Sequence, residues 1–246
     1  MYRMAHKRFV DGIGFVSIMQ WTTDDEIIRI ARMTYGNELS RENLMRYITE
    51  NHHDSIFEMA HFMFHIKMPG TVARQHIQTK LGNCHQLTEF PGEAYVSPNM
   101  EHELSEMQDF AYRTSSSIYS IMKDHGVSDS DACLHIPAST YTDLYWKVSG
   151  KELMDYLTKF ANVSDKHIIK EYATALRAIT SPTAPLMFGA LADCRLNAIT
   201  LDSREMEKLA HLVSDTDGTS FTMGDMSKAE IKQFKKKVNI LINGNA

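Results

Sequence analysis

Cysteine is scarce in this chain, and its spacing suits no framework. Cys84, Cys133 and Cys194 are an odd number without a Cys-x-x-Cys pair, which argues against a disulfide scaffold and a cysteine zinc site. No run approaches the roughly 18 uncharged residues of a membrane span. The N-terminus, MYRMAHKRFVDGIGF, has no apolar core of signal length. These absences lead to the expectation of a cytoplasmic protein with no membrane partner. Positive charge is not in surplus either: 26 basic against 31 acidic residues leave −5, so no global basic field recruits nucleic acid. An anionic ligand has to be held by local groups. Repeats and low-complexity tracts are missing, and the 12 scattered histidines carry no metal-ligand spacing.

With 246 residues, 43% of them hydrophobic, the chain can bury one sizeable core, so one domain plus an appendage is expected. Phe9 to Trp21, with glycines at 12 and 14, reads as an early strand or hairpin. A helix capped by Thr23 or Asp24 carries Ile27, Ile28, Ile30 and Ala31; a second, begun by Ser40, carries Leu44, Tyr47 and Ile48. From Glu58 to Met68 the alternation predicts a strand with Ala60, Phe62, Phe64, Ile66 and Met68 inward, and His61, Met63, His65 and Lys67 on a partly wet face. Glu101 to His125 reads as a long helix whose Leu104, Met107, Phe110, Ile118 and Ile121 are expected in the core.

Ser128 and Asp131 box a short helix ended by Pro137, and Thr140 to Val148 is a second strand. Ser149 and Glu152 box the next helix, and Ser164 opens another. Two final helices are expected from the boxes Asp202 to Glu205 and Ser227 to Glu230, the last with a lysine face read as solvated.

The stretch Gly70 to Phe90, GTVARQHIQTKLGNCHQLTEF, is the most unusual. Thr71 can cap a helix, Val72, Ala73 and Ile77 give it a partial apolar stripe, and Gly82-Asn83 end it. Gln75, Gln78, Lys80, His85, Gln86 and Thr88 then mass hydrogen-bonding groups that suit either solvent or a ligand.

Taken in order, GFVSIMQW, DDEIIRIARMTYG, HHDSIFEMAHFMFHIKMPGTVARQ, IPASTYTDLYWKV, KELMDYL and EYATALRAI resemble the flavin-dependent thymidylate synthases over residues 14–191. The resemblance implies an α+β fold with a mixed central sheet and long helices over 1–191, and a C-terminal helical extension over 192–246. It also implies a homotetramer, bound FAD, and NADPH and methylenetetrahydrofolate as co-substrates, with a methyl group placed on carbon 5 of a pyrimidine nucleotide. Cofactors carry that chemistry, so no catalytic side chain is assigned.

The family's Arg-His-Arg, seven residues, then Ser reads here as Gln78-Thr79-Lys80 and then Thr88. The resemblance puts His53, Ser55, Glu58, Gln78, Thr79, Lys80, Ser149, Lys151 and Asp155 on the cofactor. It puts Gln75, Gln86, Thr88, Phe90, Cys133 and Phe160 on the substrate. Phe90, Cys133 and Phe160 stand where the family has nucleotide-binding arginines, and each such charge-assisted contact is worth about 1.5–3 kcal/mol. Gln86 replaces a glutamate and both donates and accepts, which suits a cytosine edge. A substrate other than deoxyuridylate, methylated or hydroxymethylated, is therefore expected. The alternative is a degenerate member acting as a nucleotide-binding or assembly module, since Glu89, Asp143 and Asp155 add negative charge. Cys133 as a nucleophile near His135 is a third, weaker reading.

Overall fold

The computed structural model describes residues 7–87, 90, 92–97, 100–161 and 168–197. Strands β1 (Lys7–Phe9) and β2 (Phe15–Trp21) form the expected hairpin, with Phe9 opposite Phe15. Asp11 makes the turn by accepting from the N–H groups of Ile13 and Gly14 at 3.2 and 2.5 Å. Helix α1 (Asp24–Tyr35) starts where the Glu26 carboxylate accepts the Thr23 N–H at 2.8 Å, and α2 (Arg41–Glu50) starts where the Ser40 hydroxyl accepts the Asn43 N–H at 3.2 Å. A short α3 (Ser55–Met59) precedes β3 (His61–Pro69). The chain continues through α4 (Gly70–Gln78), β4 (Asn83–Leu87), α5 (His102–Asp124) and α6 (Asp129–Ala132) with a 3-10 turn over Cys133–His135. Strand β5 (Tyr141–Ser149), α7 (Gly150–Ala161), α8 (Ile168–Thr180) and α9 (Pro185–Leu191) follow, and a π-helical turn over Ala192–Leu196 prolongs α9.

Among the described residues five strands lie in the order β1-β2-β3-β5-β4, and every pairing between them is antiparallel. The α+β class stands, but the expected mixed sheet does not. The physical reason is that each returning strand enters where its neighbour left: Trp21 at the end of β2 pairs with Phe62 near the start of β3. Val16, Ile18, Phe62, Phe64, Ile66, Leu144 and Trp146 are wholly buried on one face, under α4, α7 and α8. Each such large side chain contributes about 1.5–3 kcal/mol by leaving water. The other face, with Met63, His65, Lys67, Tyr145 and Lys147, stays partly wet, as the alternation predicts.

Other expectations need correction. Glu58 belongs to α3 rather than to the strand, because the chain makes a helical turn before extending at Ala60. Thr71 lies inside α4; Pro69 occupies the cap position, and the N–H groups of Gly70 and Thr71 are taken by Thr140 O and Ala138 O. The polar run after α4 is largely an edge strand, β4, exposed along its whole length. Among the described residues helix α5 has none that is buried, contrary to its expected core role: Met107 and Phe110 are 68% and 72% exposed.

The division into two compact units falls between Asn197 and Ala198. The expected helix starts at Ser164, Asp202 and Ser227, the terminal lysine face, and Thr88 and Glu89 lie outside the described residues. Buried Asp24 accepts the Leu186 and Met187 N–H groups at 2.7 and 3.1 Å and so fixes the start of α9 beside α1. Burial raises its pKa despite those two bonds.

Candidate active site

Helix α4 divides its residues by face. Val72, Ala73 and His76 point into the core, while Arg74, Ile77 and Gln78 are exposed. His76 is 1% exposed, lies edge-on to Trp146 at 4.5 Å, and shares a hydrogen bond with the Tyr156 hydroxyl at 3.0 Å. Burial depresses its pKa to about 4, so it is neutral at pH 7.

The turn after α4 is clamped from several sides. The Thr79 hydroxyl donates to His76 O at 2.7 Å, and Trp146 Nε1 donates to Leu81 O at 2.8 Å. Lys80 and Gly82 both take left-handed backbone, with φ of 57° and 64°. Gly82 can do so freely; Lys80 cannot, and such strain persists where surrounding contacts impose it. The Gly82 N–H donates to Glu152 Oε1 at 3.1 Å, while Ser149 donates to the other carboxylate oxygen from its N–H and hydroxyl. Burial works against that carboxylate, but these bonds outweigh it and hold the Glu152 pKa below its ordinary value. Glu152 therefore ties the start of α7 to the turn that carries Lys80.

Beside this turn lies a cavity of about 660 Å³. Gln78, Lys80, Gln86 and Cys133, expected on two different ligands, line it together. Gln86 Nε2 donates to Thr142 Oγ1 at 3.2 Å, and that hydroxyl donates to Leu87 O at 2.9 Å. Arg74, Thr140 and Thr142 also line the cavity and escaped the sequence reading. The cue for Arg74 was available, since it shares an i, i+4 face with Gln78. A smaller cavity of about 300 Å³ between Phe9 and Thr174 contains none of the expected residues.

The other expected cofactor residues gather around α3 and α7. The His53 ring sits 5.2 and 5.7 Å from those of Tyr35 and Tyr47, with Ser55 and Glu58 exposed just beyond it. Lys151 donates to Asp155 at 2.7 Å, and this bond raises its pKa. Arg195, unforeseen in the sequence, reaches Asp54 at 2.8 Å and Asp155 at 3.4 Å from the π-helical turn. It braces the His53 run against α7, next to His52 with its φ of 54°.

Several expected residues are engaged elsewhere. Thr79 and Ser149 spend their hydroxyls on the turn and on the α7 cap. Gln75 is exposed and outside the cavity. Phe160 is buried 4.6 Å from the Tyr156 ring, so it fills core rather than offering a stacking face; it falls on the apolar stripe of α7. Phe90 stands edge-on to Tyr119 at 4.8 Å and to Tyr112 at 6.0 Å. Asp143 is bound by His65 at 2.6 Å. No group of metal-ligating side chains occurs among the described residues, and no described helix is long and apolar enough to cross a membrane.

A family model described as "Thymidylate synthase complementing protein" matches residues 17–186. The flavin-dependent thymidylate synthase of Treponema denticola is 25% identical, over 92% of this chain and 94% of that one. The protein of the same name from Dictyostelium discoideum is 25% identical, over 94% of this chain and 83% of that one. Among solved structures, the UMP/dUMP methylase PolB of Streptomyces cacaoi, bound with 5-Br UMP, superposes with a TM-score of 0.63 at 18% identity, covering 74% of this chain and 96% of that one. At that identity the likeness is one of fold.

Proposed function

Because the chain belongs to the thymidylate synthase complementing protein family, we propose that it is a flavin-dependent enzyme that transfers a one-carbon unit from methylenetetrahydrofolate to carbon 5 of a pyrimidine nucleotide. The observation that carries this reading is the cavity in which Gln78, Lys80, Gln86 and Cys133 meet. Its volume of about 660 Å³ is that of a small-molecule site.

FAD needs donors for its pyrophosphate and flat or polar walls for its ring system. Lys80 has no acidic partner among the described residues and stands with Gln78 at the cavity; His53 offers a ring clustered with Tyr35 and Tyr47. These groups fit. When bound and reduced by NADPH, FAD would supply the hydride that completes a methyl group. The chain's own residues hold and orient the two ligands: Lys80 and Gln78 meet phosphate, and Gln86 meets the base edge. Positioning of this kind lowers the barrier without a protein nucleophile.

The substrate side supports a preference changed from deoxyuridylate. The family's nucleotide-binding arginines are replaced by Phe90, Cys133 and a buried Phe160, so a phosphate is held by fewer guanidinium groups. The negative charges that favour a degenerate module are engaged within the chain where they are described: Asp143 is hydrogen-bonded to His65, and Asp155 is paired with Lys151 and Arg195. Assembly as a homotetramer is part of the proposal. It is supported by α5, whose Leu104, Met107, Phe110, Ile118 and Ile121 expose an apolar stripe too long for a solvated helix.

The test is incubation of FAD-loaded protein with NADPH, methylenetetrahydrofolate and a panel of pyrimidine nucleotides, reading product mass. A gain of one methyl or hydroxymethyl group identifies substrate and chemistry. No gain on any nucleotide, with FAD shown to be bound, would sink the enzyme reading.

A further inference from the structure

Two side chains that line the 660 Å³ cavity, Thr140 and Arg74, have no part in the proposed function as described so far. Thr140 is 2% exposed, and its Oγ1 has no hydrogen-bond partner. Its backbone is fully committed, the N–H to Pro137 O and the carbonyl to the Gly70 N–H, so the hydroxyl alone is left over. Neighbouring Thr142, equally buried, spends its hydroxyl on Leu87 O and Gln86. Buried hydroxyls rarely stay unpaired, and one that lines a cavity is completed by what enters it.

Arg74 lines the same cavity from the exposed face of α4 and makes no ion pair or hydrogen bond with any described residue. None of the lining residues is acidic, so its guanidinium is uncompensated there. A guanidinium is a donor-only fork, and in one cavity with a spare hydroxyl it suits an acceptor-rich anion with several oxygens. Ile77, Ile136 and Pro137 supply apolar wall nearby, as the uncharged part of a nucleotide requires.

We infer that Arg74 and Thr140 form the phosphate-receiving end of this cavity. Resting on the proposed function, this makes Arg74 the residue that holds the nucleotide's monophosphate in place of the guanidinium groups missing at Phe90, Cys133 and Phe160. The shift moves the anchor from the bend at Phe90, the 3-10 turn at Cys133 and α7 onto α4, one turn before Gln78. Specificity changes with it, because a phosphate drawn towards residue 74 presents its base to a different part of the pocket.

The experiment is isothermal titration of the FAD-loaded full chain with UMP, dUMP, CMP, dCMP and the corresponding nucleosides, for wild type, Arg74→Ala, Arg74→Lys and Thr140→Val. Arg29→Ala, an exposed arginine on α1, controls for loss of charge. Arg74→Ala is expected to weaken the monophosphates about 10- to 100-fold while leaving the nucleosides unchanged. Arg74→Lys recovers part of that loss, and Thr140→Val loses about threefold to tenfold. Thermal midpoints are read alongside; Arg74 is exposed, and should the alanine variant melt early, Arg74→Gln keeps the helix and repeats the test. Equal weakening of nucleosides and monophosphates by Arg74→Ala, or no weakening of either, would overturn this assignment and leave the proposed function standing. A wild type that binds none of these nucleotides and nucleosides would overturn both.

Discussion

Protonation of His76 should set the acid limit of this protein. The ring is sealed between α4, Trp146 and Tyr156, with Nε2 unpartnered and no carboxylate in contact, so the folded state holds it neutral. Its folded pKa of about 4 lies below the ordinary 6.5. In the interval between them the unfolded chain takes up a proton that the folded chain refuses. Stability from this site is therefore complete above about pH 6.5 and is lost as pH falls towards 4. The loss is about 2 kcal/mol from pH 7 to pH 5 and about 3 kcal/mol by pH 4.

Replacing the ring by phenylalanine keeps an aromatic contact with Trp146 and gives up the Tyr156 hydrogen bond, at a pH-independent cost of about 1 kcal/mol. Urea unfolding followed by far-ultraviolet circular dichroism, from pH 7.5 to 4.5, should then give two curves that cross between about pH 5 and 6, His76→Phe being the more stable below. The difference between the two proteins removes the contribution of every other histidine. Parallel curves over that range would refute the reasoning.

Three further outcomes are expected. Lys80→Gly relieves left-handed backbone and should raise stability by up to about 1 kcal/mol in thermal melts, while flavin titration shows weaker binding. Gly82→Ala should fail to give soluble folded protein, or cost more than about 3 kcal/mol in urea, because the added methyl would lie 2.4 Å from Lys147 O and 2.8 Å from Trp146 Nε1. Phe110→Asp, at a side chain 72% exposed on α5, should lower the mass seen by light scattering without shifting the melting of the single chain.

What could be read in advance was periodic or boxed. The alternation from Ala60 to Met68 and the Ser149/Glu152 box are local signals, and each appears where spacing put it. Strand β4 was hidden because Asn83, Cys84, His85 and Gln86 carry no alternation; an edge strand exposed on both faces has no burial pattern to display. Helix α5 misled for the opposite reason, since helical spacing of apolar residues says that a face is covered but not by what. For the site, the motif comparison singled out Gln78, Lys80, Gln86 and Cys133, which share a cavity. Arg195 and Thr140 were beyond reach, because one depends on contacts across the fold to Asp54 and Asp155 and the other on a hydroxyl's failure to find a partner. Phe160, expected either to stack on a base or to fill an emptied pocket, is buried, in keeping with its place on the α7 stripe.

The division of α4 into a core face and a cavity face also bears on how such a catalyst can change its diet. Val72, Ala73 and His76 are answerable to the sheet, whereas Arg74, Ile77 and Gln78 are exposed and line the cavity. Mutation can therefore wander through the second set at little cost to folding, since exposed substitutions mostly stay within about 0.5 kcal/mol. A single helix thus lets ligand preference drift while the scaffold is held still. For an engineer, positions 74, 77 and 78 form a small library that can be varied together, and position 76 is the one to leave alone.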